Sequence, residues 1–187
     1  PDRLRMLRSP NATIRGDALA WLSGALSNQG ARFSVSAAVV PFLVALVDDP
    51  DTPDRESVLS LLHDVVLGDA ALPFTLDLPT EELSPEDMAE VTRLFYESDN
   101  PFYEAPLEYF RAASTRWAAD AYEAGAAHVP TYAGWLSDPV VAAQAAEFLA
   151  YFPADDKTVD ALLTSVAPAS ANLTLAYFPD SPSVDKH

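Results

Sequence analysis

The sequence predicts an all-α chain built as a short α-solenoid, a right-handed superhelix of stacked helix pairs. The first observation is a recurring unit: one apolar helical stretch, an Asp/Pro turn, and a second apolar helical stretch. It reads Leu4-x-x-Leu7, Pro10, then Ile14-x-x-x-Ala18-x-x-Trp21-Leu22. It returns as Val40-Pro41-x-Leu43-x-x-Leu46, Pro50 or Pro53, then Val58-x-x-Leu61-Leu62-x-x-Val65, and again as Val129-Pro130 through Trp135-Leu136, Asp138-Pro139, then Val141 to Leu149. A fainter copy closes with Val159-x-x-Leu162-Leu163-x-x-Val166, Pro168 and Leu173 to Phe178. The second observation is spacing. Ile14, Ala18, Trp21, Leu22 and Ala25 share a helical face, as do Met88, Val91, Leu94 and Phe95, and Val141, Ala145, Phe148 and Phe152. The third is the lack of a convincing strand: 72–78 alternates weakly but is bracketed by Pro73 and Pro79.

The elements follow in order. Asn11 caps a helix to about Ser27. Pro41 sits early in the next helix, at the place Pro130 takes in its own unit, where the missing N–H costs little. Thr52-Pro53 supplies a cap and a first-turn proline for a helix to Gly68. Ser84-Pro85-Glu86-Asp87 has cap, proline and early acids in sequence, the strongest start signal in the chain. Asp138-Pro139 starts Val140 to Phe152, and Asp155 or Asp156 starts a helix to Val166. The domain is single, residues 1–187, with clear repeats at about 1–27, 38–68, 128–152 and 158–178. The stretch 69–127 is irregular, with helices at Ser84–Glu97 and from about Ala105 to Ala124. It is either a degenerate repeat or an insertion.

Composition narrows the function. Hydrophobic residues make up 49% of the 187, so the chain buries a core and is not disordered. No apolar run approaches the ~18 residues of a membrane span. No signal peptide is visible, and a start at Pro1 implies a missing upstream segment. There is no cysteine, which removes disulfides, thiolate metal sites and Cys nucleophiles, and fits a reducing, cytoplasmic setting. Alanine richness and Arg-over-Lys usage suggest a GC-rich bacterial source. Net charge is −17, and it is segregated: through Arg32 five arginines face two aspartates, whereas the remainder has six cations against 26 acids. Phosphate backbones are repelled by such a surface, so nucleic-acid binding is disfavoured and a basic protein partner is steered in. Acidity also keeps a repeat protein soluble without any partner.

The Val-Pro-x-Leu helix, the Asp-Pro turn and the Ala/Leu-rich second helix resemble HEAT repeats over roughly Pro1–Ala71 and Tyr122–Phe178. Asn28-Gln29-Gly30 followed by Ala38-Val39-Val40-Pro41-Phe42-Leu43 resembles a group of actinobacterial HEAT-repeat proteins of uncharacterised function, in which a His-Gln-Gly turn precedes that helix; here Asn28 replaces the His. Arg15 and Arg55 match the arginine such repeats carry near the start of the second helix, whereas Val141 and Ala142 depart from it. The resemblance implies a solenoid with a scaffold or binding role, no reaction and no cofactor.

No catalytic constellation stands out. His63 lies beside the apolar face Leu61, Leu62 and Val65 and reads as a partly buried structural histidine. His128 reads as a turn residue and His187 is terminal. Metal ligands are not predicted: Asp48 to Asp54 lacks the Gly and terminal Glu of a calcium loop, and no histidine has a partner at ligand spacing. Glu81-Glu82 and Asp155-Asp156 read as solvated helix-end acids. Six glycines form no phosphate loop. Two segments read as binding candidates. One is aromatic and acidic, from Phe95-Tyr96-Glu97 through Phe102-Tyr103-Glu104 and Glu108-Tyr109-Phe110 to Trp117, of the composition found at interface hot spots, though the same rings would serve as local core. The other is the inter-repeat loop with Gln29, Arg32 and Phe33. The expectation is a non-enzymatic scaffold or adaptor presenting its second helices to a basic partner, an immunity or antitoxin protein being one specific version. The alternative is an acid-residue hydrolase with a pocket in the irregular stretch.

Overall fold

The computed structural model describes residues 2–28, 30–68, 83–99, 104 and 106–178. Within them the chain forms α1 (Asp2–Met6), α2 (Ala12–Leu26), the strands β1 (Ser27–Asn28) and β2 (Ala31–Arg32), α3 (Ser36–Asp48) and α4 (Arg55–Leu67). There follow α5 (Pro85–Glu97), α6 (Leu107–Ala126), α7 (Val129–Trp135), α8 (Ala142–Leu149), α9 (Asp156–Leu163) and α10 (Pro168–Leu175). The all-α expectation holds for these residues.

Three of the sequence caps are made. Asn11 Oδ1 accepts from the Thr13 N–H at 2.9 Å, Ser84 Oγ from Asp87 at 3.1 Å, and Asp155 Oδ1 from Thr158 at 2.8 Å. Each satisfies an N–H that the first turn leaves without an intrahelical partner.

Other boundaries shift. Thr52 and Pro53 lie in a turn, and α4 begins only after Asp54, which takes the left-handed conformation at φ 52°. Its carboxylate holds Arg15 Nε at 2.6 Å. Pro41 stands inside α3, which starts at Ser36, whereas Pro130 stands in the first turn of α7, so the two prolines are not equivalent. The buried stripe of α2 is Ala18, Leu22 and Leu26, at i, i+4, i+8; Ile14 and Trp21 are exposed, the latter beneath the Arg3 guanidinium at 5.5 Å. Leu7, just after α1, is buried. The short β1–β2 ribbon was not expected. It pairs Ser27 with Arg32 and Asn28 with Ala31, and Gly30 at φ 76° turns the chain between them.

The helices pair as α1/α2, α3/α4, α7/α8 and α9/α10. Across pairs, α2 packs on α4, α4 on α8, α8 on α10, and α7 on α9. One apolar cluster runs through all four pairs, from Leu7 to Leu175. Three polar contacts join the second pair to the third across more than eighty residues of chain: Arg55 Nη1 to Asp138 Oδ2 (2.6 Å), Trp135 Nε1 to Asp48 Oδ1 (2.9 Å) and Gln144 Nε2 to Ser60 Oγ (2.9 Å). α5 and α6 pack on each other around a separate cluster of Val91, Leu94, Phe110, Ala113 and Trp117. α6 also lies on α3, α4 and β2. It approaches α4 so closely that a Cβ at Gly125 would meet a Val66 methyl at 2.5 Å.

Tyr132 is the largest fully buried side chain, packed on Phe148 (4.9 Å), Trp135 (5.1 Å) and Phe152 (5.8 Å). Its hydroxyl has no hydrogen-bond partner among the described residues. A buried unpaired hydroxyl costs ~1–3 kcal/mol. Tyr132→Phe is therefore expected to leave the chain as stable as before, or to raise the unfolding free energy from urea titration by up to about 1 kcal/mol. A clear loss of stability would reveal a partner for that hydroxyl.

Candidate functional site

A depression with several polar lining residues lies between α4, α8 and α10, the second helices of their pairs. Ser60, His63 and Asp64, at i, i+3 and i+4, leave one side of α4, while Leu61, Leu62, Val65 and Val66 enter the core from the other. Gln144 and Glu147 leave α8 in the same way, followed by Tyr151. Leu173 and Tyr177 complete the third wall, and Thr174 Oγ1 ties α10 to α8 by donating to the Ala146 carbonyl at 2.6 Å. The groove encloses about 450 Å3, within the ~300–1,000 Å3 of ligand pockets.

His63 stands at its centre. Its ring is 5.6 Å from that of Phe148 and 5.6 Å, edge-on, from that of Tyr151. Nδ1 is 3.8 Å from Asp64 Oδ1, too long for a hydrogen bond. Burial pushes the imidazole pKa below its ordinary value, against the opposing pull of the Asp64 and Glu147 carboxylates. At neutral pH the ring is uncharged, and among the described residues the groove is lined by two carboxylates and by no lysine or arginine. A second depression of about 300 Å3, lined by Leu19, Ala20 and Ser23 of α2 and by Ser57, Ser60, Leu61 and Asp64 of α4, shares Ser60 and Asp64 with the first. The two form one track across α2, α4, α8 and α10.

Six arginines among the described residues are held by carboxylates outside the groove. Arg5 faces Asp2, Arg8 Asp49, Arg15 Asp54, Arg55 Asp138, Arg93 Glu90 and Glu97, and Arg116 Asp120. None of these pairs includes Asp64 or Glu147.

The two candidate segments read from sequence meet each other. Phe33 lies 5.4 Å from Phe95, Phe95 lies 5.7 Å from Trp117, and Ser34 Oγ and the Tyr96 hydroxyl are 3.2 Å apart. Arg32 is buried: Nη1 donates to the Gly30 carbonyl (2.6 Å) and to the Leu67 carbonyl (3.2 Å), meeting an oxygen that the end of α4 leaves without an intrahelical donor. Phe33 is half-buried, as is Tyr109, which packs on the α5–α6 cluster. Glu108 is exposed in the first turn of α6, and Glu104 is exposed and accepts from Ser98 Oγ. Gln29, Phe102 and Tyr103 lie outside the described residues. A pocket of about 330 Å3 lies between Ala31, Arg32, Phe33, Phe95, Phe110, Ser114 and Trp117.

No protein-family model, curated protein or solved structure matches the chain. Among the described residues no three His, Cys, Asp or Glu are grouped to hold a metal ion, and no helix is long and apolar enough to cross a membrane.

The groove residues Ser60, His63, Asp64, Gln144, Glu147, Tyr151 and Tyr177 were not singled out by sequence as a site. Ser60-x-x-His63-Asp64 is a polar stripe opposite a buried one, but such stripes are ordinary solvated faces. What makes this one a wall is α8, whose place beside α4 no local pattern encodes.

Proposed function

We propose that the chain is a non-enzymatic scaffold of the HEAT-repeat kind that binds a basic protein segment along its second helices. In this reading α1/α2, α3/α4, α7/α8 and α9/α10 stack as a right-handed solenoid, and α5–α6 is an insertion beside the stack. The observation that carries it is the continuous track over α2, α4, α8 and α10, with Asp64 at the junction of its two depressions and no lysine or arginine in its lining. The six arginines held by other carboxylates support it, since none of those ion pairs includes Asp64 or Glu147. Solenoids use extended faces of this sort to hold partners, and complementary charge speeds and selects the encounter.

The test is titration with a lysine- and arginine-rich peptide at low and physiological salt. Glu147→Lys with Asp64→Lys is expected to weaken binding at low salt by at least about tenfold, roughly 1.4 kcal/mol. The same reversal at Glu104 and Glu108, remote from the track, is expected to have a smaller effect. Equal affinity for the first double variant and the parent chain would sink the proposal, and a larger effect of the second would move the face to α5–α6.

A further inference from the structure

We infer that the groove between α4, α8 and α10 is a pocket for one arginine side chain of the partner. The inference rests on the binding function proposed above. Asp64 stands on the α4 wall and Glu147 on the α8 wall, so an entering cation is approached by carboxylates from two helices. Gln144, whose Nε2 donates to Ser60 Oγ at 2.9 Å, ties the α8 wall to the α4 wall beside Glu147. The remaining lining combines the rings of His63, Phe148, Tyr151 and Tyr177 with Leu59, Ala150, Leu173 and Thr174.

Carboxylates joined to ring faces suit guanidinium better than ammonium. A guanidinium is planar, carries five donors in a fixed fork and stacks on aromatic faces, whereas an ammonium is compact and strongly hydrated. The shared residues Ser60 and Asp64 open the pocket toward the α2–α4 depression, which gives the partner's backbone a route along the same face. The groups that titrate around His63 are Asp64 on α4, Glu147 on α8, and Tyr151 and Tyr177. Protonated His63 would compete with the arginine for both carboxylates, so acid is expected to weaken binding.

The experiment uses the full chain and short glycine–serine peptides with one central arginine, lysine or citrulline, read by NMR, beside an arginine-rich peptide read by calorimetry at two salt concentrations. The arginine peptide is expected to shift the His63 and Tyr151 signals, to bind about tenfold tighter than the lysine peptide, and to lower the midpoint of His63 titration; the citrulline peptide is expected not to bind. Glu147→Gln and Asp64→Asn, near-isosteric and folded by their NMR spectra, are each expected to weaken the arginine peptide several-fold. Equal binding of arginine and lysine peptides, or indifference to both variants, overturns the pocket. If the arginine-rich peptide still binds in a salt-dependent way in that case, the scaffold proposal survives alone. If the single arginine binds as expected but the arginine-rich peptide gains nothing at low salt, the pocket stands and the scaffold proposal falls.

Discussion

Arg55→Ala is expected to destabilise the chain by about 1.5–3 kcal/mol, the range for losing a hydrogen bond to a charged group, since Asp138, left behind, is 28% exposed. The Arg55 side chain is 7% exposed. Nε donates to the Val47 carbonyl at 2.6 Å and Nη1 to Asp138 at 2.6 Å. Alanine removes the donor from a carbonyl in the last turn of α3 and the cation from a carboxylate in the α7–α8 turn. It also leaves a void where the guanidinium stem lay. Urea unfolding of the two proteins measures the difference directly; a loss below about 1 kcal/mol would place Arg55 among ordinary surface pairs.

Asp138→Asn should cost less, since its oxygen can still accept from the Val140 N–H (2.9 Å). The Val140 N–H first, and the Arg55 guanidinium after it, hold the Asp138 carboxyl below its ordinary value. The sign follows: a folded pKa below the unfolded one adds stability that is complete above the unfolded carboxylate value and lost as pH falls through the folded one. The gap between parent and Asp138→Asn is therefore expected to be widest near neutrality and to close below about pH 4. A gap that persists undiminished in acid would remove the ion pair from the explanation.

Gly68→Ala is the second large effect, expected at about 3 kcal/mol or more, from backbone strain together with overpacking. Gly68 closes α4 at φ 61° and ψ −138°, a conformation that residues with a Cβ avoid. An added Cβ would sit 1.8 Å from Arg32 Nη1 and 2.5 Å from the Gly30 carbonyl oxygen. Arg32 can be pushed aside, but the Gly30 oxygen is backbone. The substitution thus strains the helix end and dislodges the guanidinium that holds the Leu67 carbonyl. Arg32→Ala alone, which leaves Gly68 unstrained, is expected to cost less. If the two substitutions cost the same, the strain at Gly68 contributes nothing and Arg32 accounts for the whole effect.

Local chemistry was legible wherever a few adjacent residues decide it. Asn11, Ser84 and Asp155 cap their helices as their side chains require, and the apolar spacing marks the helical type throughout. The face of α2 was misread because Ile14 and Trp21 also fit a helical stripe; which stripe is buried depends on the neighbour, and α4 covers Ala18, Leu22 and Leu26. Arg15 and Arg55 could be seen to repeat, but not to clasp Asp54 and Asp138 of the units that follow. Arg32 and Phe33 drew notice as loop residues, and packing against Leu67 and Phe95 makes the first a helix-end donor and the second part of an aromatic cluster.

The amino-acid sequence by itself determined the helices, three of their caps, and a surface on which acids far outnumber cations, because propensity, capping and charge act within a few residues or by composition alone. Tertiary structure decided that α8 lies on α4, across the whole stretch 69–127, and so turned the polar stripes Ser60–Asp64 and Gln144–Glu147 into two walls of one groove. Apolar burial is non-directional, and the pattern that makes two helices amphipathic does not say which pair will meet.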